Sequence, residues 1–306
     1  MQEAGPCWNG RLSTSSYATL KAFEYFEPTS LEEALSLVAE YGEEAKILAG
    51  GTDLMVLMMR RKLNPNFVVN ITKIRSLSFI DWNKNDGLKI GALSTLRSLE
   101  KSREVRENYP LLLSSVKLIG SVQIRNMATI GGNLCNASPA ADTAPPLLAL
   151  DAEVKIAGKA HSRTMPLDGF FLGPGKTALK QGEILTEIHV KNLPPHSGTA
   201  FAKMGRTPTD ISKVSAAVVL TTKRDKCEDV RIALGAVAAT PIRARTAEKT
   251  LLGKEISADS LEATSQAAAD EARPITDVRS TARWRKGAIK YLVRNLLEDS
   301  MKVASK

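Results

Sequence analysis

Cysteine is scarce in this sequence, and its scarcity excludes several classes of protein. The chain has three cysteines, Cys7, Cys135 and Cys227, and none of them belongs to a Cys-X-X-Cys pair. An iron–sulfur cluster normally takes four protein ligands, mostly cysteines, so this chain does not hold one by itself. An odd, dispersed set also argues against a disulfide framework. So few cysteines are typical of a protein in a reducing compartment, so we expect a cytoplasmic protein.

Long apolar runs and metal-binding motifs are also missing. No segment approaches the roughly 20 uninterrupted apolar residues of a membrane span. The first residues lack the apolar core of a secretion signal, so we expect residues 1–20 to be a flexible N-terminal extension. The three histidines, His161, His189 and His196, show no metal-ligand spacing. The sequence therefore predicts neither a membrane span nor a metal site.

The charge is strongly positive but diffuse. The formal net charge is +9, and the basic residues form only short runs at residues 60–62 and 283–286. Recognition of nucleic acid normally needs a concentrated basic patch. We therefore predict no nucleic-acid partner, and the charge favours an anionic ligand or an acidic protein partner.

The length of 306 residues suggests two or three compact units. Over residues 21–75, short apolar runs typical of strands alternate with segments whose apolar residues have a helical period. This pattern predicts a β-α-β-α-β unit. Its first helix is expected to begin at a capping box of Ser30 and Glu33 and to end at Gly42. In a second unit, Ser94 is the predicted cap of a short helix.

A proline pair divides the rest of the chain. Residues 121–146 form a stretch rich in glycine, asparagine and proline, and predicted strands follow it. Pro194 and Pro195 then mark a linker. Beyond them, strands rich in small residues predict an antiparallel sheet that three helices cover.

The first segment with unusual chemistry is LAGGTDLM, residues 48–55. A predicted strand ends at Gly50 and Gly51, and a helix starts after Thr52. Glycine lets backbone amides approach a ligand closely, and amides at a helix start bind phosphate oxygens. A tight turn in which Thr52 or Asp53 caps the helix explains the same residues, so both interpretations stay open.

The second such segment covers residues 123–154 and contains another glycine pair. Hydrogen-bonding side chains crowd around it, at Thr129, Asn133, Asn136, Ser138, Asp142 and Thr143. A dinucleotide needs such donors and acceptors, and Asp142 can accept from sugar hydroxyls. An irregular loop that satisfies its own backbone through Asn and Ser side chains explains the composition equally well.

Several familiar motifs are absent. Neither glycine pair fits Gly-X-Gly-X-X-Gly, so a Rossmann dehydrogenase is disfavoured. The sequence also lacks the nucleophile elbow of hydrolases and the phosphate-binding loop of nucleotidases. No nucleophile–base pair stands out, so we predict no catalytic side chain.

Five segments, in order, resemble one known family. They are FEYFEPTSLEEAL, KILAGGTDLM, SVQIRNMATIGGNLCNASPAADTAPPLLALDAEV, MPLDGFFLGPGKTAL with GEILTEI, and KMGRTPTDISKVSAAVVL. The chain resembles, over residues 21–297, the FAD-binding medium subunit of the molybdenum hydroxylases, or molybdopterin dehydrogenases. This family includes the medium subunit of carbon monoxide dehydrogenase and the FAD domain of xanthine dehydrogenase.

The resemblance implies an α+β fold of the vanillyl-alcohol-oxidase type. FAD-binding subdomain 1 is then expected over residues 21–80 and subdomain 2 over residues 81–195. A C-terminal domain of an antiparallel sheet with helices is expected over residues 196–306.

The resemblance also implies a set of FAD-binding residues. The expected contacts to the pyrophosphate and ribityl region are Ala49, Gly50, Gly51, Thr52 and Asp53 from subdomain 1, and Thr129, Ile130, Gly131, Gly132 and Asn133 from subdomain 2. Ser138 and Asp142 match the family's Ser-Pro-X-X-Asp, which contacts the sugar-phosphate portion. Lys203 lies near the position of a lysine that approaches the isoalloxazine in relatives, although the spacing before Asp210 differs by about one residue.

By the same resemblance, FAD is the cofactor and its attachment is non-covalent. Some relatives attach FAD through a histidine near the glycine loop, whereas no histidine here precedes His161. Molybdopterin and [2Fe-2S] clusters are expected only on partners, a large molybdenum-cofactor subunit and a small [2Fe-2S] subunit of a heterotrimer. The chain would carry electrons from those clusters through FAD to an external acceptor such as NAD⁺, a quinone or O₂. The alternatives are a stand-alone FAD oxidoreductase of the same fold and a flavin-free scaffold subunit.

Overall fold

The computed structural model describes residues 20–224 and 226–305. The predicted N-terminal extension lies outside the described residues, apart from Leu20. Three sheets of three, five and four strands follow one another along the chain, and a two-stranded hairpin accompanies the second. None of the described helices is both long and apolar enough to cross a bilayer.

The predicted β-α-β-α-β unit is confirmed. Its elements are β1 (Glu24–Phe26), α1 (Leu31–Tyr41), β2 (Ala45–Leu48), α2 (Leu54–Met59) and β3 (Phe67–Asn70). The three strands are parallel in the order β1-β3-β2. Their carboxyl ends therefore meet at one edge of the sheet, where the loop after β2 begins.

The ends of α1 follow the prediction with one correction. The hydroxyl of Ser30 accepts a hydrogen bond from the Glu33 amide at 3.1 Å. The carboxylate of Glu33 reaches one residue further back than predicted and accepts from the backbone amide of Thr29 at 3.0 Å. The capping box is thus formed on one side only. Gly42 ends the helix with a φ of 54°, as its lack of a Cβ allows.

The second sheet is antiparallel. The strands of this region are β4 (Ile80–Asn83), β5 (Gly87–Gly91), β6 (Glu153–Ala157), β7 (Ser162–Pro166), β8 (Phe171–Gly173), β9 (Lys176–Thr177) and β10 (Ile184–Val190). The sheet order is β4-β5-β10-β6-β7, and β8 and β9 form the separate hairpin. The core of this region is formed by Leu88, Ile90, Val154, Ile156 and Ile188 from the sheet, packed with apolar residues of the neighbouring helices.

Six short helices belong to the same region: α3 (Leu96–Lys101), α4 (Arg103–Asn108), α5 (Pro110–Lys117), α6 (Val122–Met127), α7 (Ile130–Cys135) and α8 (Ala144–Ala149). Two predictions are corrected here. Thr95, not Ser94, caps α3, because its hydroxyl accepts from the Ser98 amide while Ser94 donates to the carbonyl of Phe79. Residues 121–146, a stretch rich in glycine, asparagine and proline for which no helix was predicted, contain α6, α7 and the start of α8. Glycine and proline lower helix propensity, and six-residue helices are too short to show a clear period.

The third sheet and its helices complete the chain. The elements are β11 (Ser197–Met204), β12 (Val214–Lys223), β13 (Lys226–Gly235), β14 (Ile242–Arg243), α9 (Arg245–Leu251), α10 (Ala258–Glu271) and α11 (Ala282–Ala304). The strands are antiparallel in chain order, as predicted. The last of the three predicted helices is α11, and it buries an apolar stripe of Ile289, Leu292, Val293, Leu296 and Leu297.

Strand β12 is buried on both faces, which the sequence did not predict. Ala216 and Val218 pack in a core with helices α9 to α11. Ala217 and Val219, on the opposite face, belong to the core of the second sheet. The third sheet is therefore packed against the second region and not merely tethered to it. The α+β class is confirmed, while the division at residues 80 and 195 stays a prediction.

Candidate functional site

The first glycine loop, residues 49–53, joins the carboxyl end of β2 to α2. Gly51 adopts a φ of 71°, a conformation that glycine takes without strain. Asp53 stands at the N-cap position of α2, but its side chain makes no capping hydrogen bond. A side-chain cap from Asp53 therefore does not explain why the loop has this sequence.

The backbone amides of this loop are unpaired. The N–H groups of Gly50, Gly51, Thr52 and Asp53 find no hydrogen-bond acceptor within residues 20–224 and 226–305. The loop is not buried, so a ligand can reach these donors. Successive free N–H groups on a turn favour an anion, because each can donate a hydrogen bond to it.

The second glycine pair has a different environment. Gly131 and Gly132 lie inside α7, and Thr129 caps that helix. Four successive amides have acceptors at 2.9 to 3.1 Å: Ile130 donates to the Ser94 carbonyl, Gly131 to the Ala92 carbonyl, Gly132 to the Thr129 hydroxyl and Asn133 to the Thr129 carbonyl. The irregular-loop interpretation is wrong for residues 130–135, which are helical, whereas residues 136–143 do form an irregular loop. The paired amides of Ile130 to Asn133 are not available to a pyrophosphate, as the resemblance had implied. Of these five residues, only Thr129 has an amide without an acceptor in the described part of the chain.

The first glycine loop and helix α7, with residues 127–129 that lead into it, are the two glycine elements of the site, and they lie against each other. A Cβ built on Gly50 would overlap the carbonyl oxygen of Met127 and would stand 3.0 Å from the Cα of Ala128. The side-chain amide of Asn136 donates to the carboxylate of Asp53 at 3.1 Å. The structure therefore brings together the two segments that the sequence singled out separately.

The polar residues after α7 contact one another. The hydroxyl of Thr143 donates to the side chain of Asn133 at 2.6 Å, which joins the two ends of this segment. Ser138 is half-buried, and its hydroxyl accepts from the Ala140 amide at 3.3 Å. Ala137 has a positive φ of 45°, which costs a residue with a Cβ some free energy.

Asp142 and Lys203 form a buried ion pair. The Lys203 ammonium lies 2.7 Å from one carboxylate oxygen, and the two side chains are 2% and 7% exposed. Ser212 donates to the other oxygen of Asp142. Burial raises the pKa of Asp142, while the ammonium of Lys203 opposes that shift.

The remaining protons of Lys203 are also engaged. They are donated to the carbonyl oxygens of Leu118 at 2.8 Å and Asp210 at 2.9 Å. A lysine ammonium has three N–H donors, so none is left for a flavin in this arrangement. Sequence reasoning missed Ser212 and Leu118. Ser212 does lie in the matched segment KMGRTPTDIS, whereas a backbone carbonyl gives no sequence signal.

The rest of the site offers little chemistry of its own. No three His, Cys, Asp or Glu side chains of the described residues converge to hold a metal ion. Cys135, in α7, has a free thiol whose pKa burial raises to about 12. Such a thiol is not a nucleophile at neutral pH.

Two family models match the chain. The FAD binding domain of molybdopterin dehydrogenase matches residues 21–192. The C-terminal domain of carbon monoxide dehydrogenase flavoprotein matches residues 199–300. Together they extend over both regions that form the site.

Individual proteins give the same result. The chain is 33% identical to the carbon monoxide dehydrogenase medium chain of Hydrogenophaga pseudoflava, over 90% of this chain and 96% of that one. It is 31% identical to the putative xanthine dehydrogenase FAD-binding subunit of Escherichia coli, over 92% and 96% of the two chains. A solved structure of the Hydrogenophaga pseudoflava carbon monoxide dehydrogenase superposes with a TM-score of 0.90, over 93% of this chain and 99% of that one. The chain belongs to the family of FAD-binding subunits of the molybdenum hydroxylases.

Proposed function

We propose that this chain is the electron-transfer subunit of a heterotrimeric molybdenum hydroxylase. A large subunit with a molybdenum cofactor would oxidise the substrate, and a small subunit with [2Fe-2S] clusters would deliver the electrons. The chain would hold FAD where it receives them and releases them to an external acceptor. In the reaction, the chain would bind and orient FAD and set the electrostatic environment of the cofactor.

One observation carries the fit to FAD. Within the described residues, the amides of Gly50, Gly51, Thr52 and Asp53 have no acceptor, and the loop that carries them is not buried. An FAD pyrophosphate needs such donors in its binding loop. FAD, when bound, accepts electrons singly and releases them as a pair. The residues proposed to hold its pyrophosphate are Ala49, Gly50, Gly51, Thr52 and Asp53 in the first loop. Thr129, Ile130, Gly131, Gly132, Asn133 and Ser138 around α7 are proposed to line the cofactor site and to support that loop, because the amides of Ile130 to Asn133 already have acceptors. Asp142 and Lys203 are proposed to act through their ion pair.

The cysteine content supports a partner for electron supply. The chain has three cysteines, and Cys135 and Cys227 are separate free thiols. A [2Fe-2S] cluster needs four ligands, so the clusters would belong to another subunit. No histidine lies near the glycine loops in sequence, which supports non-covalent attachment of FAD.

An apolar surface beside the first loop supports the docking of a partner. Exposed apolar side chains on the two helices that flank the loop are Val56, Leu57 and Met59 of α2 and Val122, Ile124 and Met127 of α6. The backbone of Met127 contacts Gly50, so this surface begins at the glycine loop. Clusters of exposed apolar side chains mark interaction sites.

The first test concerns the flavin. Purified full-length chain should release FAD, not FMN, on mild denaturation. Gly51→Val should weaken FAD binding about tenfold or more, since loss of one charge-assisted hydrogen bond costs roughly 1.5–3 kcal/mol. Gly253→Val is the matched control, because Gly253 also has a positive φ, of 76°, and lies outside the site. Equal FAD affinity in both variants would contradict the placement.

The second test concerns the complex. The chain is co-expressed with the candidate large and small subunits and mixed rapidly with substrate. Flavin reduction should require all three chains. An isolated chain that turns over an organic substrate at a comparable rate would instead establish a stand-alone oxidoreductase.

A further inference from the structure

The buried pair of Asp142 and Lys203 joins two regions of the fold. Asp142 lies between α7 and α8, whereas Lys203 lies in β11 of the third sheet, 61 residues later. Ser212, 70 residues after Asp142, binds the same carboxylate. The third sheet and the loop between its strands β11 and β12 thus supply both partners of this carboxylate.

The segment around Asp142 has a further contact with the third sheet. The amide of Ala236 donates to the carbonyl of Pro139 at 2.7 Å. Gly235, at the end of β13, has no room for a side chain, since its Cβ would stand 2.9 Å from the ring of Pro145. Residues from the C-terminal part of the chain therefore contact residues 139–145 at three points: Pro139, Asp142 and Pro145.

The same segment leads directly to both glycine elements. Thr143, next to Asp142, binds Asn133 of α7 at 2.6 Å. Asn136 binds Asp53 of the first glycine loop at 3.1 Å. Ala137, between these contacts, keeps a strained φ of 45°, which persists only where the surroundings hold it.

We propose that the ion pair of Asp142 and Lys203 is a clamp through which the third sheet positions the glycine elements for FAD. Neither side chain needs to touch the flavin. Lys203 fixes Asp142, Asp142 fixes residues 136–143, and those residues fix α7 and the first glycine loop. The pair is therefore a positioning device, and it rests on the proposed binding of FAD.

The test separates positioning from stability. The double variant Asp142→Asn/Lys203→Met removes both charges of the pair, so no buried ion is left without a partner. Asp151→Asn is the matched control, because Asp151 pairs with Arg243 of β14 and so also joins the third sheet to the second region. Asp151 lies beyond α8 and outside the clamped segment. The full chain is used, with FAD affinity, the visible spectrum of bound flavin and the thermal midpoint of the flavin-free protein as readouts.

We expect both variants to lower the thermal midpoint of the flavin-free protein. Only the double variant should also weaken FAD binding, by about tenfold, and alter the flavin spectrum. Unchanged FAD affinity in the double variant, or an equal loss in Asp151→Asn, would overturn the clamp. If the double variant does not fold, Asp142→Asn alone, which keeps an acceptor oxygen for Lys203 and Ser212, is scored in the same way. Absence of FAD binding by the unaltered chain would instead overturn the proposed function.

Discussion

The two glycine pairs share a sequence pattern but have different structural roles. Gly50 and Gly51 lie in a turn whose amides find no acceptor in the described part of the chain. Gly131 and Gly132 lie in α7, where the amides already have acceptors. In each pair the first glycine allows close packing: Gly50 against the backbone of Met127, Gly131 against Ala92. The second glycine of each pair has more room. The first pair is thus suited to bind an anion, and the second to bring the supporting helix close to its neighbours.

The largest effect is expected from Gly50→Ala. The new Cβ would overlap the Met127 carbonyl, so backbone must move and the two glycine elements separate. We expect a loss of about 3 kcal/mol in the free energy of unfolding, together with loss of FAD binding. Urea unfolding and flavin titration measure the two effects. Gly173→Ala is the control, since nothing lies within 4 Å of its Cβ position. A Gly50→Ala protein as stable as this control would disprove the close contact.

Gly131→Ala is expected to rank second. Its Cβ would stand 2.6 Å from the Cβ and 2.7 Å from the carbonyl oxygen of Ala92. The expected loss of stability is about 2 kcal/mol. Adding Ala92→Gly should restore part of it, because it removes one of the two clashing atoms. If Ala92→Gly gives no recovery in the double variant, the clash does not cause the loss.

Gly51→Ala should cost less stability, because its Cβ position is 3.3 Å from its nearest neighbours, the side chains of Leu48 and Met55. The positive φ is the main cost, about 1 kcal/mol for alanine. Asparagine tolerates this conformation better, so Gly51→Asn should lose less stability than Gly51→Ala. The opposite order of thermal midpoints would show that space, and not φ, limits this position.

Asp53→Asn probes the hydrogen bond between the two glycine elements. Neighbouring protein atoms partly desolvate the carboxylate of Asp53 and raise its pKa, against a hydrogen bond from Thr52 that lowers it. Because its pKa is higher in the folded than in the unfolded protein, Asp53 favours folding most at acid pH, where it is protonated. That contribution to the free energy of unfolding is lost as the pH rises through the folded pKa. Asn keeps an acceptor for Asn136 without the charge. We expect a gain of roughly 0.5 kcal/mol at neutral pH, since solvent screens an exposed residue, and none near pH 3. A gain that is independent of pH would exclude titration as its cause.

Gly132→Ala is expected to change stability least. Its Cβ would approach only the Thr129 hydroxyl, at 2.8 Å. Alanine gains about 1 kcal/mol of helix propensity over glycine, and disturbing the cap costs about the same. The net change in urea unfolding should therefore be close to zero. In a Thr129→Ala background the cap is already lost, so Gly132→Ala should then stabilise the protein. A large destabilisation in either background would place α7 in a tighter environment than described.

Much of the fold was predictable from local patterns. The strands predicted after residues 121–146 include β10, whose sequence is ILTEIHV. The apolar stripe of α11 is buried because its residues have a helical period. The helices of residues 121–146 were missed because each has six residues and two contain glycine or proline. Local patterns also did not predict that β12 would be buried on both faces, since small apolar residues fit either face.

The site was predictable in its position more than in its contacts. The glycine pairs were identified from composition, and their proximity followed from the family resemblance. Whether an amide is free depends on which carbonyl lies opposite it in three dimensions. The carbonyl of Ala92 binds the Gly131 amide, and no sequence pattern marks that choice. The pairing of Lys203 with Asp142 is likewise a long-range contact between residues that had been assigned separately to the flavin.

The order in which the clamp residues are synthesised has a consequence for cofactor loading. A nascent chain that has just emerged past Asp142 carries both glycine pairs but not Lys203 or Ser212, which follow 61 and 70 residues later. A ribosome that adds about 5–20 residues per second needs several seconds to supply them. During that interval residues 136–143 have no partner from the third sheet. We therefore expect flavin capture to follow translation, so that a chain stalled before β11 leaves the ribosome without FAD.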